Sequence, residues 1–150
     1  STGQRILMWK GGWIAFREAP LAGYGYRGRM EAVRQALPEK YRRLAGFTHP
    51  HNAYLAALLD AGILGLAVLL ALLAAPILVS VRAPRDGVWR LRLAAATVLT
   101  LCFAVSGAAG IMFEHDLMNA AFVVMLIVLA DSAIHGEMQA SIARGRKGTA

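Results

Sequence analysis

Two long runs of residues without a charged side chain constrain this chain more than any other feature. Residues 62–81 and 93–113 contain no Asp, Glu, Lys or Arg, and a third run, 117–134, is interrupted only by Asp131. A helix rises about 1.5 Å per residue, so about 20 residues cross the hydrocarbon core of a bilayer, which is roughly 30 Å thick. The sequence therefore predicts three transmembrane helices, at about 62–81, 93–113 and 117–134.

The composition agrees with a membrane protein and argues against other classes. Hydrophobic residues make up 57% of the chain, and the mean hydropathy is +0.50. A soluble helical bundle would turn a polar face to water, and the uncharged runs have none. The net charge is +7, but the basic residues flank apolar runs and form no stripe with interleaved aromatics, so we expect no nucleic-acid partner. Cys102 is the single cysteine, which excludes a disulfide within the chain.

Residues 1–61 are predicted to be an extramembrane region with short helices. One apolar helical face is predicted before Pro20, and it consists of Ile6, Trp9, Trp13 and Phe16. A second helix is expected at 28–37 and a short third piece closed by Gly46. Pro50 suits the first turn of the next helix, which would place His51 and Asn52 within that turn. The fold class is thus all-α, an extramembrane loop followed by three transmembrane helices in 62–150.

The distribution of basic residues predicts the orientation in the membrane. The 82–92 linker has four arginines against Asp86 alone, the tail after the third span is basic, and the 114–116 turn has no Lys or Arg. The positive-inside rule therefore puts the linker and tail in the cytoplasm, and both 1–61 and the 114–116 turn outside. Residues 1–61 hold nine of the 16 Lys and Arg residues, which conflicts with the simplest form of the rule. An external region that binds something anionic would explain this excess.

Three motifs occur in a fixed order along the chain. Arg5-Ile6-Leu7-Met8-Trp9 is followed by a Pro-Leu-x-Gly-x-Gly turn at 20–25. His51-Asn52 is then followed, after nine residues, by Gly62 and, after two more, by Gly65. The third motif is the order of external loop, span, Arg-rich linker and two closing spans. Together they resemble the C-terminal portion of the O-antigen ligase and Wzy-type O-antigen polymerase family.

The resemblance implies a multi-pass protein of the bacterial inner (cytoplasmic) membrane, with its active site facing the periplasm. It implies transfer of glycan from an undecaprenyl-diphosphate-linked donor to a saccharide hydroxyl, without a metal or other cofactor. The acceptor would be lipid A–core for a ligase and a growing glycan chain for a polymerase, and the His51 to Gly65 pattern favours the ligase. The family's preceding spans are absent here, so we read the chain as part of a longer protein and expect the fragment to be inactive alone.

The resemblance also assigns roles to individual residues. His51 would be the general base, Arg5 a contact for the diphosphate, and Asn52 a residue that orients the histidine. Histidine, with an unperturbed pKa near ~6.5, is suited to accept a proton at neutral pH, and the arginine fork matches phosphate oxygens. Further candidate substrate contacts, which no family motif fixes, are Arg27, Arg29 and His49.

Other interpretations of the same residues stay open at this point. His49 would alternatively cap a helix or face solvent, and Arg5 would extend from a helix at the membrane surface. A metal site would need the two histidines together with 114–116, and Pro50 is expected to splay the histidines apart. A transport or glycan-export component with a basic vestibule is the main non-enzymatic alternative.

Overall fold

The computed structural model describes residues 2–42, 48–110 and 116–147, and these ranges contain helices and no strand. The helices, in order, are α1 Thr2–Glu18, α2 Gly25–Ala36, α3 Glu39–Arg42, α4 Ala53–Arg82, α5 Trp89–Ala109 and α6 Asp116–Lys147. Shorter helices therefore precede three long apolar ones, and the predicted all-α membrane fold is confirmed.

The buried face of α1 differs from the predicted one. Ile6, Trp9 and Trp13 are 47%, 36% and 54% exposed, so the predicted apolar face mostly points outward. The packed face consists instead of Met8, Gly11, Gly12 and Ala15.

Small residues explain why this other face is buried. A Cβ added to Gly11 would lie 2.9 Å from Cγ of Leu37, and one added to Gly12 would lie 2.8 Å from Cδ2 of Leu55. The missing side chains let α1 approach both α2 and α4 closely, so close fit decides the packed face here and hydrophobicity does not. Leu55 joins a buried cluster that also includes Met8, Ala15, Met30, Val33 and Leu59.

The first and second connections follow the predicted pattern with shifted bounds. α1 ends at Glu18, ahead of Pro20, because proline disfavours helical backbone in the residue before it. α2 begins at Gly25, earlier than the predicted residue 28, and Leu37 caps its end. α3 corresponds to the predicted third piece, whereas Gly46 lies outside the described residues.

α4 is broken near its start. Ala61 (φ −140°, ψ 24°) and Gly62 (φ 62°, ψ −151°) are not helical, which separates a short helical segment at 53–60 from a long one at 63–82. The long segment corresponds to the predicted first span. Pro76 lies within it, and the Ser80 hydroxyl donates to the Pro76 carbonyl at 2.8 Å.

Three helices in the described residues are long and apolar enough to cross a membrane: Ala53–Arg82, Trp89–Ala109 and Asp116–Ile142. In the most apolar window of each, only 17%, 28% and 17% of the residues are buried within the chain. Their apolar side chains thus remain largely uncovered, as expected of helices that are solvated by lipid. The last helix extends well beyond residue 134, where the third span was predicted to end.

The chain divides into two compact units. The first unit comprises Ser1–Leu72 and Val105–His115, and it contains the buried cluster around Leu55. The second unit comprises Leu73–Ala104 and Asp116–Ala150. Within the second unit, Thr100 Oγ1 donates to the Leu73 carbonyl at 3.0 Å, and the rings of Phe103 and Phe122 lie 4.8 Å apart.

Candidate functional site

Asn52 caps α4 and does not lie inside it. Its Oδ1 accepts the backbone N–H of Leu55 at 2.9 Å, and its carbonyl accepts that of Ala56 at 2.9 Å. This is N-cap geometry, for which asparagine is a preferred residue. Its Nδ2 also donates to the Ala108 carbonyl at 3.1 Å. The prediction that His51 and Asn52 occupy the first helical turn is therefore wrong, because the cap at Asn52 starts the helix at Ala53.

His51 has an unusual backbone conformation. Its φ is 50°, and it is the one non-glycine residue with positive φ in the described part of the chain. This left-handed region is uncommon for residues that carry a Cβ, and holding such a residue there costs roughly 1–3 kcal/mol. Strain of this kind clusters at functional sites, and here it falls on the residue that the sequence predicts to be the base.

The two histidines are in contact. The rings of His49 and His51 lie 4.1 Å apart, edge to face, and Thr48 Oγ1 is 2.7 Å from Nδ1 of His49. The expectation that Pro50 splays them apart is wrong, because the left-handed turn at His51 returns its ring towards His49. Both histidines are half-buried, so this pair forms one partly accessible face of the loop.

Trp9 connects α1 to this loop. Its indole Nε1 donates to the carbonyl of Pro50 at 3.0 Å, one residue before His51. Arg5 is exposed and lies one helical turn before Trp9, on the same side of α1. The arginine–tryptophan motif therefore has a structural explanation. Trp9 holds the backbone beside His51, and Arg5 lies one turn earlier on the same helical face.

The turn at 20–25 docks onto the break in α4. The Tyr24 N–H donates to the Leu59 carbonyl at 2.7 Å, and the Ile63 N–H donates to the Pro20 carbonyl at 2.8 Å. Gly23, with φ 64°, lies so close that an added Cβ would be 2.6 Å from the Leu59 oxygen. The turn thus satisfies backbone groups that the interrupted helix leaves open.

Gly62 is the other half of this contact. Its φ of 62° and ψ of −151° fall in a region that is essentially restricted to glycine, and an added Cβ would overlap the backbone of Pro20 and Leu21. Gly65 lies against the Ala57 carbonyl of the preceding segment. The described contacts of these two glycines are with the 20–25 turn and with the same helix, and not with another long helix.

Arg29 is buried and ion-paired. Its Nη1 lies 2.8 Å from Oδ2 of Asp60, and the two side chains are 3% and 30% exposed. Its guanidinium also lies over the Tyr26 ring, 4.5 Å from the centroid. The pair connects α2 to the residue just before the break in α4, and its positive charge is balanced within the protein. Arg27, in contrast, is exposed on the same helix.

Tyr24 and Asp60 were not identified from the sequence. The Tyr24 hydroxyl donates to the Ala15 carbonyl at 2.8 Å, and burial, followed by the nearby charge of Glu18, raises the pKa of Tyr24. Tyr24 lies within the Pro-Leu-x-Gly-x-Gly motif, and its place there could have marked it as a candidate. Asp60 lies inside an otherwise uncharged stretch from 53 to 81, and an isolated carboxylate there was the available signal.

No group of three His, Cys, Asp or Glu side chains that could hold a metal ion occurs among the described residues. Two residues of the alternative metal site, Glu114 and His115, lie outside the described residues, and Asp116 opens α6.

Comparison with known proteins finds a family similarity in the part of the chain that contains this site. Residues 1–70 match the family model described as O-Antigen ligase. The match covers all three elements described above: the Arg5–Trp9 helix, the 20–25 turn and the segment from His51 to Gly65. The predicted resemblance is therefore confirmed for residues 1–70. No curated protein and no solved structure matches the chain.

Proposed function

We propose that this membrane protein, whose residues 1–70 match the O-antigen ligase family, provides the base and a donor-binding cation for glycan transfer. The donor is an undecaprenyl-diphosphate-linked glycan, the acceptor is a saccharide hydroxyl, and the reaction uses no metal ion. The observation that carries the proposal is the strained His51, at φ 50°, in a loop that Trp9 fixes through the adjacent Pro50 carbonyl.

The proposed reaction is a single displacement. A ring nitrogen of His51 accepts the proton of the acceptor hydroxyl as its oxygen attacks the anomeric carbon of the donor glycan. The bond between that carbon and the diphosphate oxygen breaks, a glycosidic bond forms, and undecaprenyl diphosphate leaves. A fixed loop favours this step, because a base must be within hydrogen-bond reach of the proton that it accepts.

The leaving diphosphate gains negative charge, which a cation stabilises. Arg5 is the proposed contact, since it is exposed on the helical face that also carries Trp9. Arg27 is exposed and remains a second proposed contact. Arg29 is ion-paired with Asp60, so we now propose that it acts as a positioning residue for the broken start of α4. Asn52 would support His51 through the helix cap, and His49 through ring contact.

The acceptor distinguishes two versions of this activity. A ligase transfers glycan to lipid A–core, and a polymerase transfers it to another glycan chain. The spacing of His51, Asn52, Gly62 and Gly65 is similar to the ligase pattern, so we favour lipid A–core as the acceptor. In this proposal the protein lies in the inner membrane and the His51 loop faces the periplasm.

The test is a gel profile of surface glycan from the source bacterium, comparing wild type, a gene deletion and a chromosomal His51→Ala variant. For a ligase, both mutants lose the lipid-linked ladder and accumulate undecaprenyl-linked glycan. A single-repeat band in place of the ladder would identify a polymerase. A normal ladder in His51→Ala beside a defective deletion would remove His51 from the chemistry and favour a transport role.

A further inference from the structure

The turn between α4 and α5 has more positive charge than its own carboxylate balances. Residues 82–92 include four arginines and one acidic residue, Asp86. Arg92 forms an ion pair with Asp86, since its Nη2 lies 2.8 Å from Oδ2 of Asp86, and the Arg92 side chain is only 2% exposed. The remaining arginines, Arg82, Arg85 and Arg90, are exposed and have no described carboxylate partner.

Asp86 is held by the second unit on several sides. The Val88 N–H donates to its Oδ1 at 3.1 Å, and Gly136 of α6 is so close that an added Cβ would overlap its Oδ2. The hydrogen bond from Arg92 is the largest of the causes that lower the pKa of Asp86. The carboxylate is therefore engaged by Arg92 and by backbone N–H groups, although its side chain is 25% exposed, and this leaves the charge of the exposed arginines unbalanced.

Two buried donors at the same turn also have no acceptor among the described residues. They are Nε1 of Trp89 and Nη1 of Arg92. The other polar groups of Arg92 are used, since Nε donates to the Ser132 hydroxyl at 3.1 Å and Nη2 donates to the Ser132 carbonyl at 3.0 Å. Buried donors normally have partners, so this turn has a surplus of donors as well as of charge.

A cavity lies at the same turn. It is lined by Arg85, Asp86, Gly87, Trp89 and Arg90. The guanidinium of Arg85 lies over the Trp89 ring, 5.4 Å from its centroid, which fixes one cation at the wall of the cavity. A phosphate group in the cavity would receive charge-assisted hydrogen bonds from the arginines that line it, Arg85 and Arg90.

The neighbouring apolar residues distinguish a lipid from a free anion. Val88 and Leu91 are 49% and 71% exposed and flank the arginines. The turn also joins two helices that are long and apolar enough to span a bilayer, so it lies at the level of the headgroups. Exposed apolar side chains beside cations suit the boundary between headgroups and acyl chains.

We infer that the cavity at the turn between α4 and α5 binds the phosphate of an anionic phospholipid, through Arg85 and Arg90 with Trp89 at its wall. Arg82 adds to the local positive charge. This site is separate from the His51 loop and does not depend on the proposed glycan transfer.

The test measures the thermal unfolding of the purified protein in detergent as lipid is added. The probes are phosphatidylglycerol, zwitterionic phosphatidylcholine and inorganic phosphate. Saturating phosphatidylglycerol is expected to raise Tm by about 5 °C, because a ligand that binds only the folded state stabilises it. Phosphatidylcholine and inorganic phosphate are expected to produce much smaller shifts.

The variants separate this site from general electrostatic attraction. R85Q/R90Q should bind phosphatidylglycerol about 30-fold more weakly, whereas the control R17Q/K40Q removes the same charge from exposed positions on α1 and α3 and should bind as wild type does. If R85Q/R90Q does not fold, Arg82→Gln provides the second variant, with about fivefold weaker binding expected.

Three outcomes would overturn the inference. One is an equal Tm shift with phosphatidylglycerol and phosphatidylcholine. Another is an R85Q/R90Q variant that binds as tightly as R17Q/K40Q. The third is a full shift with inorganic phosphate alone, which would replace the lipid by a free anion as the ligand.

Discussion

The two units of this protein use buried arginines in different settings. In the first unit, Arg29 pairs with Asp60 next to a break in a helix, amid contacts between backbone groups of separate segments. In the second unit, Arg92 pairs with Asp86 and Ser132 between regular helices. The distances are the same, 2.8 Å in each ion pair, but one pair supports irregular backbone and the other supports regular helices.

The difference indicates that the backbone of the first unit is held more closely by contacts between segments. In the first unit, Trp9 contacts a carbonyl beside His51, and two glycines with positive φ let a turn approach the break in α4. Backbone contacts of this kind hold a loop in one conformation. The long apolar helices need no such contacts to remain helical, because each helix satisfies its own backbone hydrogen bonds when lipid surrounds it.

The largest effect is expected at His51 itself. His51→Ala should lower glycan transfer by about a hundred- to ten-thousand-fold, the range typical of a lost general base. His135→Ala, at an exposed position on α6, is the matched control, and this variant should transfer glycan at the wild-type rate. The measurement is transfer of radiolabelled glycan from the lipid donor in membranes.

His51→Gly sharpens this result, since glycine adopts positive φ without strain. It should abolish transfer as His51→Ala does. Its free energy of unfolding should exceed that of His51→Ala by roughly 1 kcal/mol, which thermal unfolding would show as a higher Tm. Equal stability of the two variants would show that the left-handed conformation at His51 carries no strain.

The next largest effect is expected from glycine substitutions, which compare the two units directly. Gly62→Ala should destabilise the protein by about 3 kcal/mol, because alanine cannot easily adopt its backbone angles and the added Cβ meets the backbone of Pro20 and Leu21. Gly87→Ala in the second unit meets no atom within 4 Å and should be nearly neutral. Thermal unfolding in detergent measures both, and similar costs would contradict the comparison.

The third largest effect is expected from substitutions at the ion pairs. Asp60→Asn should cost about 2 kcal/mol, the value of a hydrogen bond to a charged group, and should also slow glycan transfer by shifting the break in α4. Glu31→Gln affects an exposed pair with Arg34 and should cost less than about 0.5 kcal/mol. A transfer rate unchanged in Asp60→Asn would limit Arg29 to a structural role that the His51 loop does not need.

The smallest effect is a pH dependence of stability in the second unit. The pKa of Asp86 is lowered from its ordinary value of 3.8, chiefly by the hydrogen bond from Arg92. Its contribution to stability is thus present above pH 3.8 and is lost as the pH falls through the lower, folded-state pKa. Tm measured between pH 6 and pH 3 should fall less steeply in Asp86→Asn than in wild type. Identical slopes would mean that Asp86 titrates normally.

Sequence reasoning identified the parts of this protein that depend on one segment at a time. The apolar runs predict the three long helices, because a helix in lipid satisfies its own backbone and needs only length and hydrophobicity. The His51 and Arg5 motifs were recognised for a similar reason, since their residue types and spacing lie within short stretches.

What sequence reasoning missed depends on two segments at once. Proline at a first helical turn is a general tendency, but the cap by Asn52 starts the helix later. The outward Trp13 and the buried Gly11 result from the close approach of α1 to Leu37. The positive φ of Gly62 makes sense only once the 20–25 turn is docked on it, and no local pattern specifies that contact.

The break at Ala61 and Gly62 also has a mechanical consequence. A continuous helix would act as a rigid lever, so that any tilt of the 63–82 segment in a thicker or thinner bilayer would swing the 53–60 segment with it. The interrupted backbone at Ala61 and Gly62 is not such a lever, because the 20–25 turn is bonded on both sides of the break, to the Leu59 carbonyl and from the Ile63 N–H. The docked turn thus helps to set the angle between the two segments, and we expect the position of His51 to respond less to bilayer thickness than it would at the end of a continuous helix.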